Sequence, residues 1–197
     1  MARRSKAKKR SAIKAKRVPV VARPEKLPRA FLAEVVEGME LAWGKKVSPA
    51  FKRRVIEISA ELGMDPNNLM AAMAFESART FRADIENPLS GAVGLIQFMP
   101  ATAKGLGTSP VAQLDFVRRY FLPQKGRLND LNDVYMAILW PRAVGKPASH
   151  VLFVNRSRQY SQNKGLDVNF DGVVTKAEAA SRVQQHLVEG MRPELRG

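Results

Sequence analysis

Apolar residues recur at helical spacing along most of this chain. Three segments begin with a capping residue followed by proline at the first helical position, namely Ser48-Pro49, Asp65-Pro66 and Ser109-Pro110. Each is followed by apolar residues three or four positions apart, the spacing of a helix with one buried face. The pattern therefore predicts a helix starting at each of these three points.

The same spacing predicts three further helices, from Pro28 to Trp43, from about Leu131 to Trp140, and from near Thr175 to Gly190. The last of these starts with Thr175-Lys176-Ala177-Glu178, which fits a capping box. The sequence shows neither the alternation of apolar and polar residues typical of strands nor a repeat with a period of 20–50 residues. The predicted fold class is mainly α.

Charge divides the chain into unequal parts. The 197 residues include 33 Lys and Arg, 18 Asp and Glu, and no cysteine, for a formal net charge of +15. Residues 1–30 hold 12 of the basic residues and one acid, so they contribute +11. Because residues 1–27 also lack a periodic apolar face, we predict a flexible basic arm there. It contains no apolar stretch of signal-peptide length, so we expect synthesis in the cytoplasm without an export signal.

The rest of the chain is expected to form one body. Residues 28–160 carry most of the predicted helices, and residues 161–197 are expected to pack on them. A hydrophobic content of 45% is sufficient for a core. No segment approaches the roughly 20 apolar residues of a membrane span. The lack of cysteine excludes thiolate metal sites and cysteine nucleophiles.

Glu76 is a carboxylate in an unusual place. It lies near the end of a segment that is apolar on nearly every face, three residues after Met73 and seven after Leu69. Burial and the helix dipole both raise a carboxyl pKa at such a position. A carboxylic acid that stays protonated near neutral pH is suited to general acid catalysis. The alternative is an exposed Glu at a frayed helix end.

A glycine-paired segment follows, with Gly91, Gly94 and Gln97 ahead of Pro100. Paired glycines let a backbone approach a ligand closely. Gln97 offers a donor and an acceptor for a sugar hydroxyl or acetamido group. The alternative is a simple connector with a buried, hydrogen-bonded Gln.

Glu76-Ser77 and the string from Gly91 to Ala103 together resemble the soluble lytic transglycosylase domain, a lysozyme-like family. In that family a Glu-Ser pair precedes the pattern Gly-x-x-Gly-Leu-x-Gln-x-x-Pro-x-Thr-Ala, and here Gln97 follows Glu76 by 21 positions. The resemblance implies a monomeric helical enzyme that cleaves peptidoglycan between N-acetylmuramic acid and N-acetylglucosamine. It implies Glu76 as the catalytic acid and base, no catalytic cofactor, and substrate contacts from Ser77, Gly94, Leu95, Gln97 and Met99.

The chain departs from the family at one place. Where the family has Ala-Tyr-Asn-Ala-Gly, this sequence has Ala137-Ile138-Leu139-Trp140-Pro141. Either Tyr135, the nearest tyrosine, supplies the hydroxyl, or that role is absent. The basic arm and the lack of an export signal resemble a bacteriophage lysin or virion protein. The arm is then expected to bring the enzyme to anionic polymers of the cell envelope.

Two other functions stay open. Ordinary glycosidases use two carboxylates, and Glu86 could be the second one in a hydrolytic muramidase. We favour a solvated loop charge for Glu86. In a different class, the body is a non-catalytic scaffold and the basic arm binds nucleic acid inside a virion. The near-neutral body and the motif around Glu76 disfavour that alternative.

Residues 167–178 match the twelve-residue calcium loop of an EF-hand. Gly172 stands at the sharp turn in position 6. The expected oxygen ligands are Asp167, Asn169, Asp171, Val173 through its carbonyl, Thr175 and Glu178. A second hand is missing and the entry segment 155–166 is poorly helical, so we predict a structural Ca²⁺ that holds the last helix on the body. The alternative is an Asp/Gly-rich turn before a capped helix.

Overall fold

The computed structural model describes residues 38–197. The predicted arm and most of the predicted helix from Pro28 to Trp43 lie outside this range. The predicted end of that helix is wrong, because residues 39–43 are not helical. Trp43 has a left-handed backbone (φ 64°), is buried, and donates from its indole nitrogen to the carbonyl of His186 at 2.9 Å. These long-range contacts of Trp43 override the local helical spacing.

The described part of the chain is mainly helical, as predicted. Its helices are α1 (Pro49–Leu62), α2 (Pro66–Glu76), α3 (Pro110–Phe121), α4 (Leu131–Leu139), α5 (Arg158–Asn163) and α6 (Lys176–Gly190). The predicted caps start α1, α2 and α3, since the side chains of Ser48, Asp65 and Ser109 each accept a hydrogen bond from a backbone N–H of the first turn. Thr175 and Glu178 form both bonds of the predicted capping box of α6.

Two short strands were not expected from the sequence. Strand β1 (Val151–Val154) pairs antiparallel with β2 (Val173–Thr175). Segments of four and three residues are too short to show a clear alternation. Their pairing depends on packing, because Phe153 and Val174 are buried in the common core. Helix α5 also lies in the segment expected to be poorly helical, and Ser157 caps it by accepting from the N–H of Tyr160.

Helix α2 lies at the centre of the core. Its residues from Asn68 to Ala74 are all buried, and α1, α4 and α6 pack around it. Val174, Ala180 and Val183 share one hydrophobic cluster with Met73, so the segment 161–197 belongs to the same body as the preceding helices. In residues 38–197 no helix is both long and apolar enough to cross a membrane.

The first and last described segments are joined by backbone hydrogen bonds. The N–H of Leu41 donates to the carbonyl of Gly197, and the N–H of Gly197 donates to the carbonyl of Leu41, each at 3.1 Å. Lys45 and Trp43 add further bonds, to the carbonyls of Leu195 and Gly190. The segment before α1 therefore packs against the end of the chain.

Candidate active site

Glu76 is the last residue of α2. Ser77 follows as the C-cap, and its buried hydroxyl donates to the carbonyl of Met73 at 2.6 Å and accepts from the N–H of Phe81 at 3.0 Å. Ser77 therefore orders the turn after the helix. It does not line the cleft described below, although a substrate contact was expected of it.

The carboxyl group of Glu76 has an unusual electrostatic environment. Burial raises its pKa to about 7, in the direction expected from the sequence. The residue is nevertheless only half-buried, so part of its side chain remains accessible. A group with this pKa populates both its protonated and its ionised form near neutral pH, and so can both donate and accept a proton.

Glu76 opens into a cleft of about 390 Å³. The lining comes from the end of α2, from the loop before α3, and from α3 and α4. It consists of Glu76, Ile96, Gln97, Phe98, Met99, Thr102, Tyr120, Ile138 and Leu139. Most of these side chains are apolar, which explains how the cleft desolvates the carboxyl group. A few polar groups on apolar walls are typical of a ligand pocket.

The loop from Ala83 to Phe98 is held by one buried residue, Gln113 of α3. Its Oε1 accepts from the N–H of Leu95 at 2.7 Å, and its Nε2 donates to the carbonyl of Ala83 at 3.1 Å. Gly94 has φ 85°, and a Cβ atom there would collide with the Gln113 side chain. Gly94 and the fully buried Leu95 thus support the loop on the side that faces Gln113. The sequence analysis missed Gln113, because the linear motif does not include it.

Gln97, for which a sugar contact was expected, lines the cleft. Its backbone is left-handed (φ 52°), which is uncommon for a non-glycine residue and typical of functional turns. Its Nε2 donates to the carbonyls of Gly94 at 3.2 Å and Ile85 at 3.4 Å. These bonds fix the side chain in the lining, next to Met99, which is 55% exposed at the rim.

Two tyrosines lie near the carboxyl group of Glu76. Tyr135 is buried in α4 and packs edge-on against Phe75, with ring centroids 5.5 Å apart. Tyr120 of α3 lines the cleft, and its hydroxyl donates to the carbonyl of Ile138 at 3.4 Å. Burial, and after it the charge of Glu76, raise the pKa of both hydroxyls. Tyr120 is the cleft tyrosine, and nothing in the linear motif pointed to it.

Glu86 lies outside the cleft lining. It is exposed, and its backbone forms an isolated bridge with Val93. The neighbouring Asp84 is paired with Arg82 at 2.9 Å. Neither Glu86 nor Asp84 therefore lines the cleft together with Glu76.

An open groove of about 460 Å³ runs along α6 and offers different chemistry. Its charged groups are Arg79, Glu189 and Arg192, and Arg79 and Glu189 form an ion pair of 2.9 Å. This groove does not contain Glu76, whose pKa burial raises. The cleft at Glu76 is therefore the better candidate for catalysis.

The predicted calcium residues lie between the end of α5 and the first turn of α6, apart from the cleft lining. Within residues 38–197, no three Asp, Glu or His side chains converge closely enough to hold a metal ion by themselves. An EF-hand loop also uses amide, hydroxyl and backbone oxygens, so its ligands are not only carboxylates.

Comparison with models of known protein families and with curated protein sequences finds no match to this chain. What the site can do must follow from its own chemistry. A carboxyl group with a pKa of about 7, in an apolar cleft with an amide and a phenol, can transfer protons to and from a polar ligand such as a sugar.

Proposed function

We propose that this protein is a lytic transglycosylase with a lysozyme-like fold, which cleaves the β-1,4 bond between N-acetylmuramic acid and N-acetylglucosamine in peptidoglycan. The observation that carries the proposal is the single carboxyl group of Glu76, whose pKa burial raises to about 7 in a mostly apolar cleft. The match of Glu76-Ser77 and the Gly91 to Ala103 string to the family pattern supports the choice of substrate.

The reaction needs one carboxyl group because the nucleophile belongs to the substrate. Protonated Glu76 donates its proton to the glycosidic oxygen, and the bond from that oxygen to the anomeric carbon of muramic acid breaks. The C6 hydroxyl of the same muramic acid attacks the anomeric carbon and gives its proton to the Glu76 carboxylate. The products are a 1,6-anhydromuramic end and a free 4-hydroxyl on N-acetylglucosamine, and Glu76 is protonated again.

The remaining cleft residues orient the sugar. Gln97 and Tyr120 present polar groups on walls formed by side chains such as Phe98 and Ile138. Apolar walls suit the carbon faces of pyranose rings, and the polar groups suit their hydroxyl and acetamido substituents. The same apolar walls keep water from Glu76, which preserves its raised pKa.

A hydrolytic muramidase, in which water replaces the C6 hydroxyl as the nucleophile, is the second candidate. It usually requires a second carboxylate, about 5–5.5 Å from the first for retention or about 6.5–9.5 Å for inversion. The exposure of Glu86 outside the cleft lining favours the transglycosylase.

The biological setting is part of the proposal. A basic arm on a peptidoglycan-cleaving body fits a bacteriophage lysin or virion-associated enzyme made in the host cytoplasm and acting as a monomer on the wall. The arm would hold the enzyme on anionic envelope polymers. The nucleic-acid alternative predicts instead a steep salt dependence of DNA binding that is lost when residues 1–27 are removed.

Mass spectrometry of muropeptides released from purified peptidoglycan tests the proposal. Wild type is expected to release anhydromuramic ends, Glu76→Gln to lose activity by about 10² to 10⁴-fold, and the matched control Glu86→Gln to keep it. Free reducing ends that disappear in Glu86→Gln establish the muramidase. Full activity of Glu76→Gln, or no cleavage by wild type, ends both enzymatic proposals.

A further inference from the structure

In the loop from Asp167 to Glu178, the side chain of the first residue is buried and accepts hydrogen bonds. Asp167 is 3% exposed, and its Oδ2 accepts from the N–H of Gly172 at 2.9 Å and from the hydroxyl of Tyr160 at 2.7 Å. Gly172 has φ 85°, and Val173 begins β2 directly after it. Strand β1 takes the place beside β2 that a second calcium loop occupies in paired EF-hands.

Two buried oxygens of this loop lack partners. Within the described residues, three buried side-chain polar atoms have no hydrogen-bond partner, namely Ser59 Oγ, Asp167 Oδ1 and Glu178 Oε1. Two of the three belong to the first and the last residue of the loop. A buried carboxylate oxygen without a partner is costly, and such groups are commonly explained by a missing ion or water. Both atoms stand at positions that supply ligands in a calcium loop.

We infer that this loop binds one Ca²⁺ between Asp167 and Glu178, with further oxygens from Asn169, Asp171 and Thr175. The proposal is independent of the function proposed for Glu76. All of these groups present hard oxygen ligands, and their number and flexible arrangement suit Ca²⁺ better than the smaller, strictly octahedral Mg²⁺.

Part of the loop must rearrange when the ion binds. The Nδ2 of Asn169 donates to Asp171 Oδ2 at 3.1 Å, and the N–H of Val173 donates to Asp171 Oδ1 at 2.8 Å. The Asn169–Asp171 side-chain bond has to open for both oxygens to turn inward.

Binding is expected to fix helix α6 on the body. Glu178 lies in the first turn of α6, and α6 packs against α2, whose last residue is Glu76. An ion held by Asp167 and Glu178 ties the start of α6 to the segment that follows α5. The free energy of binding therefore adds to the stability of the folded body.

Calcium alone, added to the full chain, tests the proposal by calorimetric titration and by thermal melting. Wild type is expected to show one binding heat per chain, and its Tm to rise by about 5 to 10 °C once calcium exceeds its dissociation constant about 100-fold. Glu178→Gln should lose both effects while keeping its fold, because Gln also supports a capping box. Glu194→Gln, which removes an exposed carboxylate near the chain end, is the matched control and should keep both effects.

Three results would overturn the inference. One is a wild-type Tm that is the same in calcium and in chelator, with no binding heat. Another is a calcium response that persists in Glu178→Gln. The third is an equal response to Mg²⁺, which would show that the site does not select calcium. None of these measurements uses wall-cleaving activity, so a failure here is separable from a failure of the proposed enzyme.

Discussion

At the level of single residues, the raised pKa of Glu76 follows from its position as the last residue of α2. The helix is buried on every side from Asn68 to Ala74, and its last residue, Glu76, lies beside apolar groups of α3 and α4. Ser77 caps the end of the helix, because its hydroxyl donates to the carbonyl of Met73. The same hydroxyl accepts from the N–H of Phe81 and so holds the turn that follows the helix. The carboxyl group is therefore held at the edge of the core, where it is poorly hydrated and still accessible.

The raised pKa of Glu76 makes stability depend on pH. In the unfolded chain the group ionises near its ordinary pKa of 4.5, whereas in the folded protein it stays protonated up to about 7. The contribution of Glu76 to the free energy of unfolding is therefore fully present below pH 4.5, and it is lost as the pH rises through 7. Relative to Glu76→Gln, wild type should lose up to about 3 kcal/mol of unfolding free energy between pH 4.5 and 8, less where cleft water screens the charge.

Denaturant unfolding of both proteins across this pH range measures the difference. Glu86→Gln, at an exposed carboxylate, is the control and should follow wild type. Parallel stability curves for wild type and Glu76→Gln would contradict the burial of this group. The same pKa predicts that cleavage falls above pH 7, where the acid form of Glu76 is depleted.

At the level of elements, the cleft depends on how its loop is attached to α3. Gln113 bonds to both sides of the loop, at Ala83 and Leu95, and Gly94 leaves space for its side chain. This buried amide thus attaches the loop to the helix that carries Tyr120.

Gly94→Ala should therefore disturb the cleft. The new Cβ would meet the Gln113 side chain and also require a left-handed alanine, at a cost of about 2–4 kcal/mol of stability with a loss of cleavage. Gly105→Ala is a matched control, because Gly105 has a similar φ of 81° and no heavy atom within 4 Å of its added Cβ. Melting temperature and activity of the two variants should differ clearly. Equal, small effects would show that the Gln113 contact is unimportant.

The sequence predicted those elements whose causes are local. Capping residues followed by proline located α1, α2 and α3, and the position of Glu76 in an apolar segment predicted its raised pKa. The features that it missed depend on contacts distant in sequence. Gln113 and Tyr120 contact the cleft loop only once α3 has packed against it. Strand β1 forms because it pairs with β2, which lies about twenty residues later in the chain. The enzymatic role and the calcium site stay predictions.

At the level of the whole molecule, one buried ion pair connects the C-terminal helix to the rest. Lys176, the first residue of α6, binds Asp133 of α4 at 2.5 Å, and Asp133 also accepts from the N–H of Gly145. Both side chains of the pair are almost fully buried. Breaking such a pair leaves an uncompensated charge in the core, so it fixes the relative position of the two helices.

Removing residues 1–27 tests the role of the basic arm. Residues 1–30 contribute +11 to the net charge, so wild-type binding to purified envelopes should weaken as salt rises from 50 to 300 mM, and the truncated protein should bind weakly at every concentration. The Tm should change little, because residues 1–27 are rich in charge and lack a periodic apolar face that could pack on the body. Envelope binding and activity that survive the truncation at moderate salt would exclude this role. Salt-dependent DNA binding lost with the arm would favour the nucleic-acid alternative.

The reciprocal hydrogen bonds between Leu41 and Gly197 have a topological consequence. Because these two residues already adjoin, a short linker from 197 to 41 would close residues 41–197 into a ring without displacing any of the helices α1 to α6. The chain could then be opened elsewhere, for example between the exposed residues Gly107 and Thr108, which lie between the cleft loop and α3. In such a circular permutant the contacts that build the cleft are kept while the order of the elements along the chain changes. For residues 41–197, the packing of the elements is in that sense independent of where the chain is opened.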